Sequence, residues 1–373
     1  LHTLLSKRDQ GEPHGLTGTP GQSSTISVHT GGTGHHSIGG SAETVKAILD
    51  AVSAGIGQAG SAAPVSFNQN KVTADTMVFV PKFDSKKWSG DLEAWKINPA
   101  TGAFTDRVWS AASKLKAQTP ASRNLLTYKD GKGIRFEWEE LSIEQRDDLK
   151  INRDGTKGSI SDGKARLAYL RGDRSNEGSG KGFRQRFSRM GDVWHSGPIY
   201  VGNSSKGSWP GEGGKPYADF QRAQQGRTGM VYVGSNGGML HGFDVATGVE
   251  KMAYLPAALF SSAAGKGYHA LTDPDYGHSP LYVDETPTLS DAQIGPGGDW
   301  RTLLVGGLGR GGRGVFALDV TEPDEVARKS KASQTVLWEF NKDDDAHLGF
   351  TYGQPVITYL NNKKWAAIFG NGI

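Results

Sequence analysis

The chain repeats one sequence unit, and its copies have the spacing of strands in a β-propeller blade. The unit opens with proline and an alternating apolar run, continues with an apolar run that ends in glycine, and closes on a Gly-turn, a strand and an Asp-turn. Copies span residues 198–248 and 287–320, a third runs from Pro355 to Ile373, and a divergent copy covers 88–102. Because a blade cannot bury both faces of its sheet alone, such repeats stack radially, which predicts a mainly β propeller.

The last copy lacks the final two strands of the unit, and four copies are too few to close most propellers. The chain opens on Leu1, with no initiator methionine, no signal peptide and no apolar run long enough to span a bilayer. We therefore expect a partial propeller that is cut at its C-terminus, with further sequence after Ile373, and no direct membrane span.

Composition favours short strands joined by tight turns. Glycine supplies 53 of the 373 residues, about twice its usual share of roughly 7%. The formal charge is only +3, so no field strong enough to indicate nucleic acid or an anionic membrane is present. The absence of cysteine excludes disulfides, thiol catalysis and Cys-zinc sites. The one basic cluster, residues 184–189, is interpreted as a solvated edge or a set of ion pairs.

Segments of other composition border and interrupt the repeats. Residues 1–75 form a Gly/Ser-rich N-terminal segment, in which residues 42–56 have apolar positions at helical intervals and predict a helix that leans on the propeller. The propeller blades occupy residues 76–373. We expect a helical insertion at 106–192 and a polar loop at 203–227, and insertions of this kind often carry binding.

Two local signals predict helices inside the insertion. Ser142 and Gln145 have capping-box spacing and open a short helix through Leu149. A second helix is expected from Lys164 to Leu170.

An ordered series of short motifs extends over most of the chain. It consists of residues 83–85 before 88–90, then 169–175, 190–202 and 234–248, and last 275–278 followed by 283–287. As a series these motifs resemble the PilC/PilY family of type IV pilus tip and biogenesis proteins. The resemblance implies part of the C-terminal, quinoprotein-like β-propeller domain of a large exported protein, with helical and loop insertions.

The same resemblance implies a function. The chain is expected to be a type IV pilus biogenesis factor and tip-associated adhesin, acting as a non-enzymatic scaffold in pilus assembly, retraction control and attachment. Its implied partners are minor pilins or pilus tip proteins and a host-cell or abiotic surface, without nucleic acid. The implied location is the pilus tip, the cell surface or the outer membrane and periplasm of a Gram-negative bacterium.

Calcium is the cofactor that the resemblance implies, since family members carry Asp-rich loops of EF-hand type. Such a loop needs closely spaced side-chain oxygens and a glycine at its sharp turn. The nearest match is residues 150–162, in which Asn152, Asp154 and Asp162 would be the ligands. Lys150 stands where a carboxylate should be, so an ordinary Asp-Gly turn is the alternative interpretation.

The tripeptide Arg171-Gly172-Asp173 is a candidate adhesion site, since integrins read this sequence and the resemblance suggests an adhesive role. Recognition would need the arginine and the aspartate at the tip of an exposed loop. Tyr169 and Leu170 precede the tripeptide on an apparent helix. The alternative is therefore a helix end capped by Gly172, with an ion pair from Arg171 or Asp173.

Two other functions are compatible with the blade pattern. A quinoprotein dehydrogenase would need calcium, aromatic stacking under the cofactor and a catalytic aspartate, for which Asp284 beside Glu285 is the best candidate. The adjacent cysteines of several such enzymes are impossible in this chain. A generic propeller that docks periplasmic proteins is the third function.

The remaining histidines and aromatic residues are expected to serve the fold. None of the histidines has metal-ligand spacing, so His195, His241, His269 and His278 are interpreted as structural. The expected aromatic core of the propeller consists of Trp88, Trp95, Trp194, Phe243, Phe316 and Trp365.

Overall fold

The computed structural model describes residues 23–29, 35–41, 63–68, 73, 75–203, 215–277, 280–295 and 297–372. Near the N-terminus, β1 (Ser23–His29) and β2 (His35–Ser41) pair as an antiparallel ribbon. The helix predicted at residues 42–56 lies outside the described residues. The remaining described strands form four sheets that follow the predicted repeats.

The predicted copies each form an antiparallel sheet, and we call these sheets blades one to three. Blade one comprises β3 (Ser66–Phe67), β4 (Met77–Asp84), β5 (Ser89–Ile97) and β6 (Phe104–Ser110). Blade two contains β9 (Ile199–Val201), β10 (Met230–Ser235), β11 (Met239–Asp244) and β12 (Glu250–Tyr254). Blade three comprises β13 (Thr288–Ile294), β14 (Asp299–Gly307), β15 (Gly314–Asp319) and β16 (Val336–Asn341). The last copy contributes β17 (Val356–Tyr359) and β18 (Trp365–Ile368).

One irregularity recurs at the same place in all three blades. The register of the third strand with the fourth shifts at Gly242/Phe243 in β11 and at Ala317/Leu318 in β15. In blade one the corresponding shift begins at Ala94/Trp95 in β5. A bulge increases the local twist of a strand. Its recurrence at equivalent residues confirms that the copies are repeats of one blade, as the sequence predicts.

The predicted insertion at 106–192 contains both helices and strands. Its elements after blade one are α1 (Ala111–Ala117), β7 (Leu125–Lys129), β8 (Lys132–Arg135), α2 (Ile143–Lys150) and α3 (Ile160–Arg171). The capping box that the sequence predicts is present at the start of α2. The second predicted helix is α3, which is longer than expected because a second capping box begins it at Ser159.

The insertion extends blade two. Strand β7 pairs in parallel with β12, so that blade two becomes a six-stranded sheet in the order β8-β7-β12-β11-β10-β9. The smaller elements are α4 (Tyr217–Ala223) in the loop at 203–227, and α5 (Pro323–Val326) and α6 (Ala332–Thr335) between β15 and β16. Among the helices that the structure describes, none has the length and hydropathy needed to cross a bilayer.

Apolar clusters connect neighbouring sheets. The largest joins the insertion to blades two and three and includes Phe136, Leu170, Tyr254 and Phe316. A second joins blades one and two and includes Phe79, Trp109 and Phe243. Within these clusters the side chains contact residues far apart in the chain, which is the packing expected of stacked blades.

The aromatic core expected from the sequence is only partly correct. Phe243 and Phe316 are fully buried, whereas the four tryptophans are half-buried. Trp95, for example, stacks on Phe104 with 6.0 Å between ring centroids, and its indole nitrogen donates to Glu93. A tryptophan with a polar edge is better accommodated beside polar groups than inside an apolar core.

Candidate functional site

The segments that lead into blades two and three meet at a histidine and a carboxylate. His195 comes three residues before Pro198, which precedes β9, and Asp284 comes three residues before Pro287, which precedes β13. The Nδ1 atom of His195 lies 2.6 Å from Oδ2 of Asp284. The Asp284 side chain is 2% exposed and that of His195 is 33% exposed. Equivalent positions of two neighbouring blades therefore form one hydrogen-bonded pair, which we call the blade junction.

Hydroxyl groups hold the two segments of the blade junction together. Thr286 Oγ1 accepts a hydrogen bond from the Gly197 amide at 2.7 Å. Ser196 Oγ donates to the Glu285 carbonyl and accepts from the Gly234 amide, at 2.9 Å in each case. Because both hydroxyls are engaged with the backbone, they serve the scaffold and are not poised as nucleophiles.

Two further carboxyl groups, Glu285 and Asp192, lie beside the blade junction, the first half-buried and the second buried. Burial raises the pKa of Glu285 to about 7, and the negative charge of Asp284 adds to that rise. Burial also raises the pKa of Asp192, while a hydrogen bond of 2.7 Å from Asn236 Nδ2 opposes the change. Carboxyl groups with a pKa near neutrality are concentrated at sites of binding and catalysis. This part of the molecule is therefore a candidate site on physical grounds.

A row of aromatic rings leads from blade one to His195. The ring of Trp194 stacks on the His195 imidazole with 4.9 Å between centroids. Phe83 stacks on Trp194 at 6.0 Å, and Trp88 lies 5.3 Å from Phe83 at the turn between β4 and β5. All four rings are half-buried. They form a partly exposed aromatic surface of the kind that is enriched at protein interfaces.

The blade junction offers groups for recognition. His195 Nε2 has no hydrogen-bond partner among the described residues, so the imidazole can donate or accept one further bond. The adjacent rings can stack on a partner or cover its apolar groups. The geometry therefore suits the binding of a surface with both polar and aromatic groups.

Sequence reasoning misses this pair. His195 is expected to be structural, and Asp284 is expected only as the base of a dehydrogenase, yet the two side chains contact each other. The sequence does contain a signal for the pair, since each residue stands three positions before the proline that opens its copy of the repeat.

Of the residues expected to bind calcium, Asn152 and Asp154 lie in the turn between α2 and α3, and Asp162 lies in the first turn of α3. Asp154 Oδ1 accepts from the Thr156 amide at 2.9 Å and from its hydroxyl at 2.6 Å. Asp162 Oδ2 accepts from the Ser159 amide at 2.7 Å, in the capping box of α3. Both carboxylates thus already hold the local backbone, as in an ordinary Asp-Gly turn followed by a helix cap.

Cationic groups surround the same turn. Arg166 Nη2 donates to Asn152 Oδ1 at 3.2 Å, which brings a guanidinium to one of the expected ligands. Lys150 and Lys157 both pair with Asp147 beside the turn. Within the part of the chain that the structure describes, no group of three or more His, Asp or Glu side chains could hold a metal ion. The side chains therefore do not form a ready calcium cage, and calcium binding stays a prediction.

The tripeptide at 171–173 forms the end of α3. Arg171 is 9% exposed, and its guanidinium donates to the Phe136 carbonyl at 2.9 Å. Gly172 caps the helix with φ +110°, which confirms the predicted cap. Asp173 Oδ1 accepts a hydrogen bond from the backbone amide of Ser175, two residues later in the chain, at 2.8 Å. Arg171 therefore bonds to carbonyl groups rather than forming the expected ion pair, and adhesion through the tripeptide stays a prediction that requires this helix end to open.

Comparison with known proteins places these features in a family context. Residues 190–373 match the family model described as the PilY1 beta-propeller domain. The type IV pilus biogenesis factor PilY1 of Pseudomonas aeruginosa (strain UCBPP-PA14) is 37% identical over 302 residues, which cover 77% of this chain and 24% of that protein. A PilY1 homolog of Xylella fastidiosa (strain Temecula1) is 33% identical over 364 residues, which cover 87% of this chain and 24% of that protein.

A solved structure is also similar in sequence. The crystal structure of the Pseudomonas aeruginosa PilY1 C-terminal domain has 38% identity and a TM-score of 0.36, and the match covers 46% of this chain and 31% of that one. The chain spans about a quarter of the length of the curated relatives that it matches.

Proposed function

Because the chain belongs to the family of PilY1 type IV pilus biogenesis factors, we propose that it is a binding module in the biogenesis of type IV pili. The module acts without catalysis at the pilus tip, where it supports pilus assembly, takes part in retraction control and attaches the pilus to a host cell or another surface. Its partners are minor pilins or other tip proteins. Its location is the pilus tip, the cell surface or the outer membrane and periplasm of a Gram-negative bacterium.

The observation that carries the proposal is the family match over the blade repeats. The matched residues 190–373 contain blades two and three, and relatives over most of the chain are named pilus biogenesis factors. His195 of the blade junction and the adjacent ring of Trp194 form a partly exposed surface, which supports a binding role. Aromatic groups of this kind dominate the energy of many interfaces.

Complementation of a deletion strain tests the pilus function. In the bacterium that encodes this chain, the deleted gene is replaced by the native gene or by one that carries Trp194→Ala with His195→Ala. We expect the native gene to restore surface pili, and the double variant to lower attachment severalfold because it removes the stacked pair. Tyr352→Ala is the control, since it removes a 49% exposed ring outside the blade junction.

Two outcomes would contradict parts of the proposal. Equal numbers of surface pili in the deletion strain and the complemented strain would contradict a role in pilus biogenesis. If a stably folded double variant attaches as well as the native protein, the proposed role in pilus biogenesis still stands. That result would contradict the proposal that Trp194 and His195 form the binding surface.

A quinoprotein dehydrogenase is the main competing function. Asp284 would be its base, although His195 Nδ1 already bonds to one of its oxygens at 2.6 Å. An absorbance spectrum of the purified full-length protein separates the functions, because a bound quinone absorbs in the near ultraviolet. A colourless protein that binds minor pilins supports the pilus module, and a colourless protein that binds other periplasmic proteins instead supports the generic scaffold.

Calcium is the proposed cofactor that most needs a direct test. Calcium is titrated calorimetrically into the chelator-treated chain and into the Asp154→Ala and Asp106→Ala variants, the second of which removes an exposed carboxylate in β6. Saturable binding that is lost only in Asp154→Ala supports calcium at residues 152–162. The absence of binding assigns this segment to turn structure.

A further inference from the structure

Given the binding role proposed above, on which this inference rests, we propose that the Gly-rich turn between β14 and β15 binds an acidic segment of a protein partner. The turn comprises residues 307–314, and we call it the arginine turn because it carries Arg310 and Arg313. Both side chains are exposed. Two cations of one short turn therefore face solvent.

The two arginines differ from the others in having no polar partner. Within the described ranges, every other arginine donates a hydrogen bond or pairs with a carboxylate, as Arg301 does with Asp319. Arg310 and Arg313 do neither with any described residue. The guanidinium of Arg313 lies over the ring of Phe350, 6.0 Å from its centroid. The N–H donors of both exposed side chains are therefore available to a ligand.

The carboxylates of neighbouring segments do not pair with these two arginines. Burial and the charge of Asp284 raise the pKa of Glu285, and no arginine is among the groups that shift it. The exposed aspartates at 343–345 bond within their own segment, between Asn341 and His347. The arginine turn therefore keeps both positive charges free of direct ion pairs.

The scaffold holds the arginine turn in one shape. Thr351 is fully buried, and its Oγ1 accepts from the Leu308 amide and donates to the Gly314 carbonyl, at 2.9 Å in each case. A Cβ atom at Gly311 would lie 1.6 Å from the Tyr282 carbonyl oxygen, so only glycine permits this close approach. The backbone that carries the two arginines is therefore fixed before a partner arrives, which lowers the entropy lost on binding.

The arginine turn adjoins the blade junction. A Cβ atom at Gly309 would lie 3.2 Å from the backbone nitrogen of Glu285, and Glu285 directly follows Asp284 of the junction. The turn therefore continues the surface to which a binding role is assigned above.

The chemistry of the arginine turn fits a short acidic peptide. A planar guanidinium binds a carboxylate through two parallel hydrogen bonds. The half-buried ring of Phe350 offers a contact for an apolar side chain beside the carboxylates. Two free cations in a chain of net charge +3 are too few for a long polyanion, which requires a row of cations along its backbone. The partner segment is therefore a peptide with two carboxylates and an apolar residue close together.

Fluorescence polarisation of a labelled, capped peptide tests this site on the whole chain. The peptide carries two aspartates spaced by glycines and one phenylalanine, and the matched control peptide has asparagine in place of each aspartate. In about 50 mM salt, where screening is weak, we expect saturable binding of the acidic peptide and at least about tenfold weaker binding of the neutral one. Arg310→Gln with Arg313→Gln should weaken the acidic peptide about tenfold. Arg310→Lys with Arg313→Lys keeps the charge but lacks the planar fork, so its affinity should be intermediate.

Arg222→Gln with Arg328→Gln is the matched control variant. It removes the same total charge, but from two exposed arginines that already pair with Asp219 and Glu325. Its affinity for the acidic peptide should stay within about twofold of the native value. Circular dichroism and urea midpoints show that each variant is folded.

Several results would overturn this assignment. One is the absence of saturable binding of the acidic peptide up to about 1 mM, and another is equal binding of the two peptides. An equal loss of affinity in the control variant would assign the effect to net charge. Tighter binding of trigalacturonate or of a short single-stranded DNA would assign the turn to another class of partner. None of these results would change the restoration of surface pili by the native gene, so failure here is distinct from failure of the pilus function.

Discussion

The blades and the helical insertion are stabilised by different kinds of contact. In blade two, every residue of β10 and β11 is buried, and the sheet is held by its ladder and by apolar packing. In the insertion, the guanidinium groups of Arg123, Arg171 and Arg186 donate to backbone carbonyls of helix ends and loops. An irregular segment has backbone groups that no ladder satisfies, so it needs such donors. The blades therefore rely on strand pairing and apolar packing, whereas the insertion combines an apolar core with buried arginines that bond to its backbone.

Arg123 connects the two regions. Its Nε and Nη2 lie 2.6 and 2.9 Å from the carboxylate of Glu250 in β12, and its Nη1 donates to the Arg171 carbonyl at 3.0 Å. His241 Nδ1 lies 2.7 Å from the same carboxylate. Burial by itself would raise the pKa of Glu250, but the charge of Arg123 and the bonds from Arg123 and His241 outweigh burial and lower the pKa to about 2.

The largest expected effect is that of Arg123→Met. This change leaves the Glu250 carboxylate buried without its ion partner, so the free energy of unfolding should fall by about 3–5 kcal/mol. Urea denaturation measures the loss. Arg107→Met is the matched control, since that side chain is 51% exposed and pairs with Glu93, and it should cost less than about 1 kcal/mol. If both variants lost a similarly small free energy of unfolding, the insertion and the blades would not differ in how their ion pairs stabilise them.

Phe243→Ala tests the apolar side of the comparison. Phe243 is fully buried in blade two, so its removal should lower the free energy of unfolding by about 3–4 kcal/mol. Trp95→Ala should cost less, about 1–2 kcal/mol, because that ring is only half-buried. Thermal or urea denaturation compares the two variants. A larger loss for Trp95→Ala would contradict the assignment of the blade core.

Acid should weaken the link between the insertion and blade two. The pKa of Glu250 is about 2 in the folded chain and 4.5 ordinarily, so its stabilisation is complete above pH 4.5 and is lost as the pH falls toward 2. The loss is on the order of 3 kcal/mol. Urea midpoints measured between pH 6 and pH 3 should show this decline. The decline should be shallower in Arg123→Met, and an identical slope in that variant would assign the acid sensitivity to other carboxylates.

The smallest change in the free energy of unfolding is expected at Glu285, beside the blade junction. Its dependence on pH has the opposite sign to that of Glu250. Burial raises the pKa of Glu285 to about 7 from 4.5, so the folded chain keeps this proton and loses stability as the pH rises from 4.5 to 7. Glu285→Gln should therefore stabilise the chain at pH 8 by about 1–2 kcal/mol, a range reduced for partial exposure. At pH 4 the variant and the native chain should unfold at nearly the same urea concentration. Destabilisation at pH 8 would show that the ionised group has an unrecognised partner.

The strands, turns and helix caps of this molecule were largely predictable, because each depends on residues that are close together in the chain. The order of the copies predicted the sheets, Ser142 and Gln145 predicted the capping box of α2, and Gly172 was expected as a helix cap. The basic cluster at 184–189 was predicted in part. Arg186 forms one of the expected ion pairs, with Glu177, and donates to the Tyr169 carbonyl. Its side chain is only 9% exposed rather than solvated, since three-dimensional neighbours decide which charges leave solvent.

The sequence by itself determined that the chain is built of repeated antiparallel blades, because the alternation of apolar residues and the turn glycines repeat along the chain. Only the tertiary structure decided that β7 joins β12 and that His195 meets Asp284, which is 89 residues away. It also decided that the guanidinium of Arg166 donates to Asn152, one of the expected calcium ligands. Periodicity is a local property, whereas contacts between distant segments depend on how the blades stack.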